Sequence, residues 1–497
     1  MFKKFTKVIA KEMDPSKDLV PVESITDNEH FRPLSLLKKK RKSKTMFHPA
    51  PYYQRTGFTL HDVLLPGEDG KGIEALLQVS SQFTITKTSK DQVDGGLSIS
   101  FDPATVDLKG GASLSKAFSV KSQKRSISLQ SLEALKKERE MNMNHSFIRQ
   151  LQRTDIDLYV VTEILEASEE TVYKESTKAD GGFKATFLAT FFAKGNRESN
   201  QDIVIPKGCT LAFRTIPLII RDGEWDVGYL PTERTKMETI GGFLFSFRCG
   251  LFANRTNDDG NNRRTHVTEL VPFWFAGPSQ GKLGEVVGEV EYRCHIFSKL
   301  SPDVLLIIFN AIKAVMKDKN LLQELRQKME DIPEQNDGYE LKTESPHLKD
   351  LFSTLQHSPR DCLLQVAGGI TYVLDALHEL MDDQLLLLLE SLERKILSQQ
   401  LNLVAEILKH DLEDKMCNFH VDARLFSFPH EEEQRLTMEL VELSGVQLQE
   451  DGSAVPRDQP FESVAALFVA VYFLNGLSRV YLALSSEILS KASGNLC

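Results

Sequence analysis

The spacing of apolar residues changes along the chain, and this change constrains the fold more than any other feature of the sequence. In the first half, apolar and polar residues alternate, as at Leu97, Ile99 and Phe101, which is the period of a β-strand with one apolar face. The longest alternating run covers residues 183–193. We therefore predict that residues 1–235 form an α+β domain, a twisted antiparallel sheet with helices.

The run 183–193 is also long enough for a membrane strand. Eleven residues at about 3.3 Å each span roughly 36 Å, and a tilt of about 40° reduces this to roughly 28 Å, close to the hydrocarbon thickness of a bilayer. A strand or helix lying on a soluble core produces the same alternation, and alternation alone favours that interpretation.

The second half of the chain has helical spacing. Ser301 and Pro302 provide an N-cap and a first-turn proline for a helix that begins before Leu305. Further helices are predicted over about 361–410, 431–446 and 460–490. Residues 287–497 are therefore expected to form an all-α C-terminal domain.

Residues 236–286 separate the two patterns. They are rich in Gly, Asn and Asp between short aromatic clusters and show no sustained period, so we interpret them as a flexible, protease-sensitive linker. A chain of 497 residues has room for two such domains.

Charge is divided unevenly between the halves. Residues 1–235 contain 35 Lys and Arg against 31 Asp and Glu, whereas the remainder contains 25 against 39. Residues 1–50 alone hold 12 basic and 6 acidic side chains. This distribution predicts that the basic first segment binds an acidic partner surface. It also predicts that the acidic C-terminal half can mask the first segment.

The sequence gives little support for secretion, a constitutive membrane helix or catalysis. Its six cysteines are scattered singly, its N-terminus has no signal-peptide pattern, and its longest apolar stretch, residues 464–474, is too short to span a bilayer. No nucleophile elbow, zinc motif or phosphate loop is present. We expect a cytoplasmic protein that is not an enzyme and that holds no metal or cofactor.

A basic cluster followed by an apolar residue is the strongest local motif. It runs from Lys38 to Lys44 and is followed by Phe47. Such a cluster attracts anionic lipid at about 1 kcal/mol per charge, and the phenylalanine can insert between headgroups. A solvated loop, a nuclear import signal and a nucleic-acid patch explain the same residues.

The first residues predict an amphipathic helix. Phe2, Phe5, Val8 and Ile9 form an apolar stripe beside several lysines. Such a helix can lie at a membrane interface or dock on a domain, and the sequence permits both in different states.

Several blocks resemble a known family. KEMDPSKDLVPVESI, FRPLSLLKKKRKSKTMF, YYQRTGFTLHDVLLP, DLYVVTEILE and IPKGCTLAFR are similar, in order and spacing, to the N-terminal domain of gasdermins. GGITYVLDALHELMDDQLLLLLESLERKILSQQLNLV resembles the gasdermin C-terminal helical domain, and several blocks are most similar to gasdermin A.

The resemblance implies a pore-forming effector held inactive by its own C-terminal domain. In gasdermins a protease cuts the linker, and the released N-terminal domain binds acidic phospholipids such as phosphoinositides, phosphatidylserine and cardiolipin. The domain then forms a homo-oligomer, in which two regions, here about 80–120 and 165–205, become β-hairpins of a transmembrane barrel. The expected outcome is lytic cell death, pyroptosis, in innate immunity. No nucleic-acid partner is implied.

The resemblance also assigns site residues. The lipid-contact positions carried over are Lys3, Lys4, Lys7, Lys11, Lys39, Lys40, Arg41, Lys42, Lys44, Arg139 and Arg153. Phe47, expected from the local motif to insert between headgroups, completes the predicted lipid surface. Tyr372 and Ala376, four residues apart and so on one helix face, match positions where the helical domain grips the N-terminal domain. Ordinary packing within the helical domain would place the same two residues equally well.

Cleavage is expected within the linker. Asp259 precedes a glycine in a polar loop, which a caspase-type protease accepts, although Thr256 stands where an acidic residue is preferred. The apolar run VPFWFAG is a second candidate site, for an elastase-like or foreign protease. Packing within the protein explains the same run. A cytosolic lipid-binding scaffold of the same fold that forms no pores is the alternative function.

Overall fold

The computed structural model describes most of both predicted domains. The described residues are 2–14, 18–39, 45–48, 51–67, 77–80, 82–89, 97–100, 115–152, 156–174, 202–221, 224–229, 281–334, 340–412, 418–449, 451–456 and 460–494. The alternating run 183–193 and nearly all of the predicted linker lie outside them.

The chain divides into two compact units. The N-terminal unit comprises Met1–Lys44 and Ala50–Phe245, and the C-terminal unit comprises Thr45–Pro49 and Ser246–Cys497. Five residues from the first part of the sequence therefore belong to the C-terminal unit.

The N-terminal unit has an antiparallel sheet as its frame. Its strands are β1 (Val20–Pro21), β2 (Ser35–Lys39), β3 (Tyr53–Thr59), β4 (Leu77–Val79), β5 (Phe83–Ser89), β6 (Leu97–Ser100), β7 (Ser115–Ile127), β8 (Leu158–Ala167), β11 (Thr210–Arg221) and β12 (Glu224–Val227). The main path runs β1-β11-β8-β7-β5-β6, with β12 on β11, β4 on β7, and β2 bridging β8 and β3. A separate pair joins β9 (Thr171–Lys174) and β10 (Asp202–Ile205).

Both faces of this sheet are covered. Alternate residues of one strand enter different clusters: Leu37 packs with α1 (Phe2–Met13), whereas Leu36 packs with α2 (Leu60–Val63), α3 (Leu129–Glu138) and α4 (Ser146–Leu151). The sheet is thus sandwiched between the first helix and a layer of short helices. The predicted α+β class is confirmed.

The helices of the C-terminal unit surround one long helix. They are α5 (Lys282–Cys294), α6 (Pro302–Val315), α7 (Lys319–Asp331), α8 (Pro346–Gln356), α9 (Arg360–Glu379), α10 (Asp382–Glu393), α11 (Leu397–Ile407), α12 (Glu431–Leu443) and α13 (Phe461–Gly494). Helix α13 packs against α6, α9 and α11.

Helix α13 is apolar almost all round. By length and composition alone, its residues Phe461–Leu484 could cross a membrane, although 56% of the apolar window is buried inside the protein, as in the core helix of a soluble domain. Its most buried part, around Phe468, is the apolar run identified in the sequence.

The predicted helical C-terminal domain is confirmed, and the structure adds two details to it. Helix α5 begins at Lys282, inside the range 236–286 assigned to the linker. The unit is also not purely helical, since β13 (Phe419–His420), β14 (Val446–Leu448) and β15 (Ser453–Pro456) form a small antiparallel sheet. Strands of two to four residues are too short to leave a recognisable alternation in the sequence.

Close packing around Gly369 supports α9. A Cβ atom built at Gly369 would lie 2.9 Å and 3.0 Å from two ring carbons of Phe297 and 3.2 Å from the carbonyl oxygen of Arg293. The Phe297 ring cannot retreat freely, because its centroid is 4.9 Å from that of Phe473. At the neighbouring Gly368 a Cβ would have open space.

We expect Gly369→Ala and Gly368→Ala to change stability in opposite directions. Alanine at Gly368 gains helix propensity, worth up to about 1 kcal/mol, whereas overpacking at Gly369 costs roughly 1–3 kcal/mol. Chemical denaturation of the two full-length variants checks this. Equal stability of the two variants would contradict the packing described for α9.

Candidate functional site

The residues that follow the basic cluster form a tight turn inside the C-terminal unit. We call Thr45–His48 the docked turn. The amide of Thr45 donates to the carbonyl of His48 over 3.2 Å, and the amide of His48 donates in return over 3.1 Å. The Thr45 hydroxyl accepts a further bond from the His48 amide at 3.0 Å. These bonds fix the direction in which the turn presents its side chains.

Phe47 is the apolar centre of the docked turn. It is fully buried, and its ring centroid lies 5.3 Å from that of Tyr372 at an interplanar angle of 51°. Tyr372 and Ala376 are both buried on α9, one turn apart. The aromatic pair is within the 4.5–7 Å range of favourable ring contacts.

Two carboxylates hold the polar atoms of the docked turn. Glu289 on α5 accepts a hydrogen bond from the backbone amide of Met46, at 3.0 Å to Oε2. Glu379, the last residue of α9, lies with Oε1 2.8 Å from Nδ1 of His48. The side chains of His48 and Glu379 are only 5% and 7% exposed, so the pair is shielded from water.

Burial governs the ionisation of groups around the turn. It raises the pKa of Glu289 above its ordinary 4.5, against the lowering effects of the Met46 amide and of Arg293. Burial, followed by the negative charge of Glu289, raises the pKa of Tyr372 well above 10, so the tyrosine keeps its proton.

The Glu289 shift predicts a pH dependence. Burial favours the protonated carboxyl of Glu289, so its pKa is higher in the folded protein than the 4.5 of the unfolded chain. Below pH 4.5 the carboxyl is protonated in both states and does not affect stability. As pH rises from 4.5 through the raised pKa, the free energy of unfolding of the C-terminal unit decreases. Glu289→Gln removes this titration while keeping an oxygen for the Met46 amide. We expect the stability of the unsubstituted chain, relative to that of Glu289→Gln, to fall over this interval. Denaturation of both proteins from pH 4 to 8 measures the difference, and parallel pH profiles would contradict the assignment.

The first helix carries one group of predicted lipid contacts. Its Phe2, Phe5 and Ile9 are buried against the sheet, so the predicted apolar stripe is docked in this state. Lys3 pairs with Glu23 at 3.3 Å. Lys7 and Lys11 are half-buried on the same helix, and the side chain of Lys4 lies outside the described residues.

Other predicted contacts are spread over the N-terminal unit. Lys39 ends β2, with Nζ 5.9 Å from the ring centroid of Tyr159. Arg139 follows α3, and its carbonyl accepts a 2.9 Å bond from the indole of Trp225. The remaining predicted site residues outside the described part of the chain are Lys40, Arg41, Lys42, Lys44, Arg153 and Asp259. Lipid contact by all of these residues stays a prediction.

Sequence reasoning missed three residues at the docked turn. His48, Glu289 and Glu379 belong to no motif, and the two bonded pairs are separated by 243 and 331 residues along the chain. Contacts at that separation leave no local spacing signal. Phe47 was singled out, but as a lipid-inserting tip, whereas in this structure its ring packs on Tyr372.

Both halves of the chain match models of known protein families. Residues 1–239 match the gasdermin pore forming domain, and residues 283–455 match the gasdermin PUB domain. Gasdermin-A3 of Mus musculus is 32% identical over 495 residues, covering 99% of this chain and 100% of that protein. The chain belongs to the gasdermin family.

Other relatives agree with this family assignment. Gasdermin-A of Homo sapiens is 29% identical over 96% of this chain and 99% of its own length. Gasdermin-D of Homo sapiens is 24% identical over 82% of this chain and 84% of its own length. The resemblance to gasdermin A seen in the sequence blocks is thereby confirmed.

A solved structure is also similar to part of this chain. The chain described as the cryo-EM structure of the Gasdermin A3 membrane pore shares 25% identity, with 47% of this chain and 96% of that chain covered. The TM-score is 0.29, below the level at which a common backbone arrangement can be inferred.

Proposed function

We propose that this gasdermin is an autoinhibited pore former, switched on when its linker is cut. The observation that carries the proposal is the burial of Phe47 against Tyr372. It supports autoinhibition because the docked turn directly follows the basic cluster, so a C-terminal unit that holds the turn also restrains the cluster.

Linker cleavage changes how strongly the turn is held. In the intact chain the C-terminal unit acts at the high effective concentration that a covalent tether provides. A cut, proposed at or near Asp259, makes the same contact bimolecular, and an anionic membrane then competes for the basic cluster. The activating protease is one that cleaves within residues 236–286.

The released N-terminal unit is proposed to bind acidic phospholipids on the inner leaflet of the plasma membrane. Phosphatidylserine, phosphoinositides and cardiolipin supply the charge that Lys39, Lys40, Arg41, Lys42 and Lys44 attract. The lysines of α1, together with Arg139 and Arg153, extend this surface. Phe47, once free of Tyr372, can insert between the headgroups.

Pore formation follows by oligomerisation of the released unit. The regions of about 80–120 and 165–205 are proposed to rebuild into two transmembrane hairpins per subunit. They include β5, β6, β9 and β10, the beginning of β7 and the end of β8. A closed barrel satisfies the edge hydrogen bonds that an open sheet would expose to lipid. The resulting loss of cytosolic contents would kill the cell by pyroptosis.

Dye release from vesicles tests the proposal. A full-length chain with an engineered protease site near residue 259 is mixed with vesicles of phosphatidylcholine alone or with added phosphatidylserine. Leakage that requires both the cut and the anionic lipid is expected. Binding to the anionic vesicles without leakage would favour the scaffold alternative, and absence of binding would overturn the lipid surface itself.

A further inference from the structure

We propose that Glu166 is a positioning residue for pore formation: it holds the roots of the two pore-forming regions in the sheet of the N-terminal unit, so that rebuilding begins beyond it. The inference rests on the proposed pore formation and adds to it the line at which the folded sheet ends. We call Glu166 and the three side chains that contact it, those of Arg32, Gln123 and Arg125, the root cluster.

The root cluster joins three parts of the N-terminal unit. Gln123 on β7 lies directly opposite Glu166 on β8, and its Nε2 donates to Glu166 Oε1 over 2.7 Å. Glu166 Oε2 lies 3.4 Å from a guanidinium nitrogen of Arg32, which precedes β2, and 3.8 Å from one of Arg125 on β7. The Glu166 side chain is only 4% exposed. A carboxylate enclosed in this way is costly to separate from its partners.

Arg32 extends the root cluster to the turn before β11. The nitrogen of Arg32 that faces Glu166 also donates to the carbonyl of Gly208 over 2.9 Å. The Gly208 amide donates to the carbonyl of Ala167, the last residue of β8, and the Ala167 amide donates to the carbonyl of Cys209. The end of β8 is therefore fixed on the side of β11 as well as on the side of β7.

The next charge pair along β7 and the segment after β8 is exposed. Lys121 Nζ lies 2.9 Å from Glu169 Oε1, and the two side chains are 52% and 53% exposed. An exposed pair contributes little to stability, whereas a buried charge is costly to remove from its partners. The line at which rebuilding begins therefore lies between Glu166 and Glu169 in the second region. On β7 it lies between Gln123 and Lys121.

Holding the roots also fixes the register of the two regions. Side chains alternate between the two faces of a strand, so a slip of one residue would turn the apolar face of a hairpin away from lipid. The bond between the opposed residues Gln123 and Glu166 prevents such a slip at the point where β7 and β8 leave the sheet.

Removing the charge of Glu166 tests its role in the full-length chain with a cuttable site near residue 259. Glu166→Gln is compared with Glu169→Gln, which removes the same charge from the exposed pair. Dye release from phosphatidylserine-containing vesicles is divided by the amount of cut protein that binds them. We expect Glu166→Gln to lower release per bound protein about tenfold, because its hydrogen bonds lose a charged acceptor. Glu169→Gln should stay within about twofold of the unsubstituted chain.

A disulfide at the same place separates positioning from general stability. Opposed residues of antiparallel strands have Cα atoms about 4.5–5.5 Å apart, within the range that a disulfide spans. The double variant Gln123→Cys/Glu166→Cys should release little dye when reduced. When oxidised, it should regain most of the release of the unsubstituted chain, because the disulfide holds the roots in register. Ile219→Cys/Asp226→Cys, an opposed pair on β11 and β12, should release dye equally in both states.

Oxidation that blocks dye release would overturn the proposal, because β7 and β8 would then have to separate at Glu166. Release that oxidation does not change, or equal release by Glu166→Gln and Glu169→Gln, would overturn it as well. A disulfide that fails to form in the folded chain would contradict the pairing of the two positions. Failure of the cut, unsubstituted chain to leak would instead overturn the proposed function, so the two failures are distinguishable.

Discussion

Replacing Tyr372 with alanine should make the uncut chain release dye from anionic vesicles about 100-fold faster than the unsubstituted chain. Tyr372 is buried and supplies the ring on which Phe47 packs. Truncating a buried aromatic side chain to alanine costs about 3–5 kcal/mol, and every 1.4 kcal/mol corresponds to a factor of ten. Only part of this loss of free energy weakens binding of the docked turn. The expected increase in dye release is therefore about 100-fold.

A control must separate loss of the docked turn from general destabilisation. Phe352 on α8 is only 1% exposed, and its truncation to alanine should destabilise the C-terminal unit by a similar amount without removing the ring that faces Phe47. Tyr372→Ala should leak strongly and Phe352→Ala weakly at equal residual stability. Equal leakage from the two variants would mean that unfolding of the unit, rather than release of the turn, opens the chain.

Ala376→Asp offers an independent route to the same state. Ala376 is fully buried one helical turn after Tyr372, so an aspartate there would be a desolvated charge without a partner. We expect leakage from the uncut variant in the same direction as for Tyr372→Ala.

Neutralising the basic cluster should abolish most binding of the cut protein to anionic vesicles. Changing Lys40, Arg41, Lys42 and Lys44 to glutamine removes four positive charges, worth about 1 kcal/mol each near an anionic surface, so the binding constant should fall roughly 1,000-fold. The effect should shrink as salt is raised, since the Debye length falls from about 10 Å at 0.1 M to about 3 Å at 1 M.

The matched control removes four lysines from the C-terminal unit. Lys342, Lys349, Lys395 and Lys409 lie outside the proposed lipid surface, and their change to glutamine alters the net charge of the chain by the same amount. Co-sedimentation with phosphatidylserine-containing vesicles compares the two quadruple variants. Equal loss of binding in both would indicate a general charge effect and would contradict a localised lipid site.

Local periodicity predicted those elements whose apolar faces repeat in sequence. The stripe of Phe2, Phe5 and Ile9 gave helix α1, and Ser301-Pro302 marked the start of α6. Helical spacing also identified α13, which packs against several other helices of the C-terminal unit. These signals lie within a few residues of one another, which is why a single sequence reveals them.

The docked turn could not be predicted in the same way. Phe47 follows six basic residues, and that context favours a membrane role, whereas its position in the structure depends on Tyr372, more than three hundred residues further along the chain. Pairing of His48 with Glu379 likewise exists only once α9 has folded. A sequence pattern can name residues suited to two environments, but which environment they occupy in a given state is decided by tertiary contacts.

The central claim is that the docked turn leaves the C-terminal unit when the protein is activated. Amide hydrogen exchange across residues 45–48 measures this directly, because the Met46 and His48 amides are hydrogen-bonded in the docked state. We predict protection in the intact chain, little change after the cut alone, and loss of that protection when the cut protein meets phosphatidylserine-containing vesicles and dye release begins. Leakage with the protection of residues 45–48 unchanged would contradict the account.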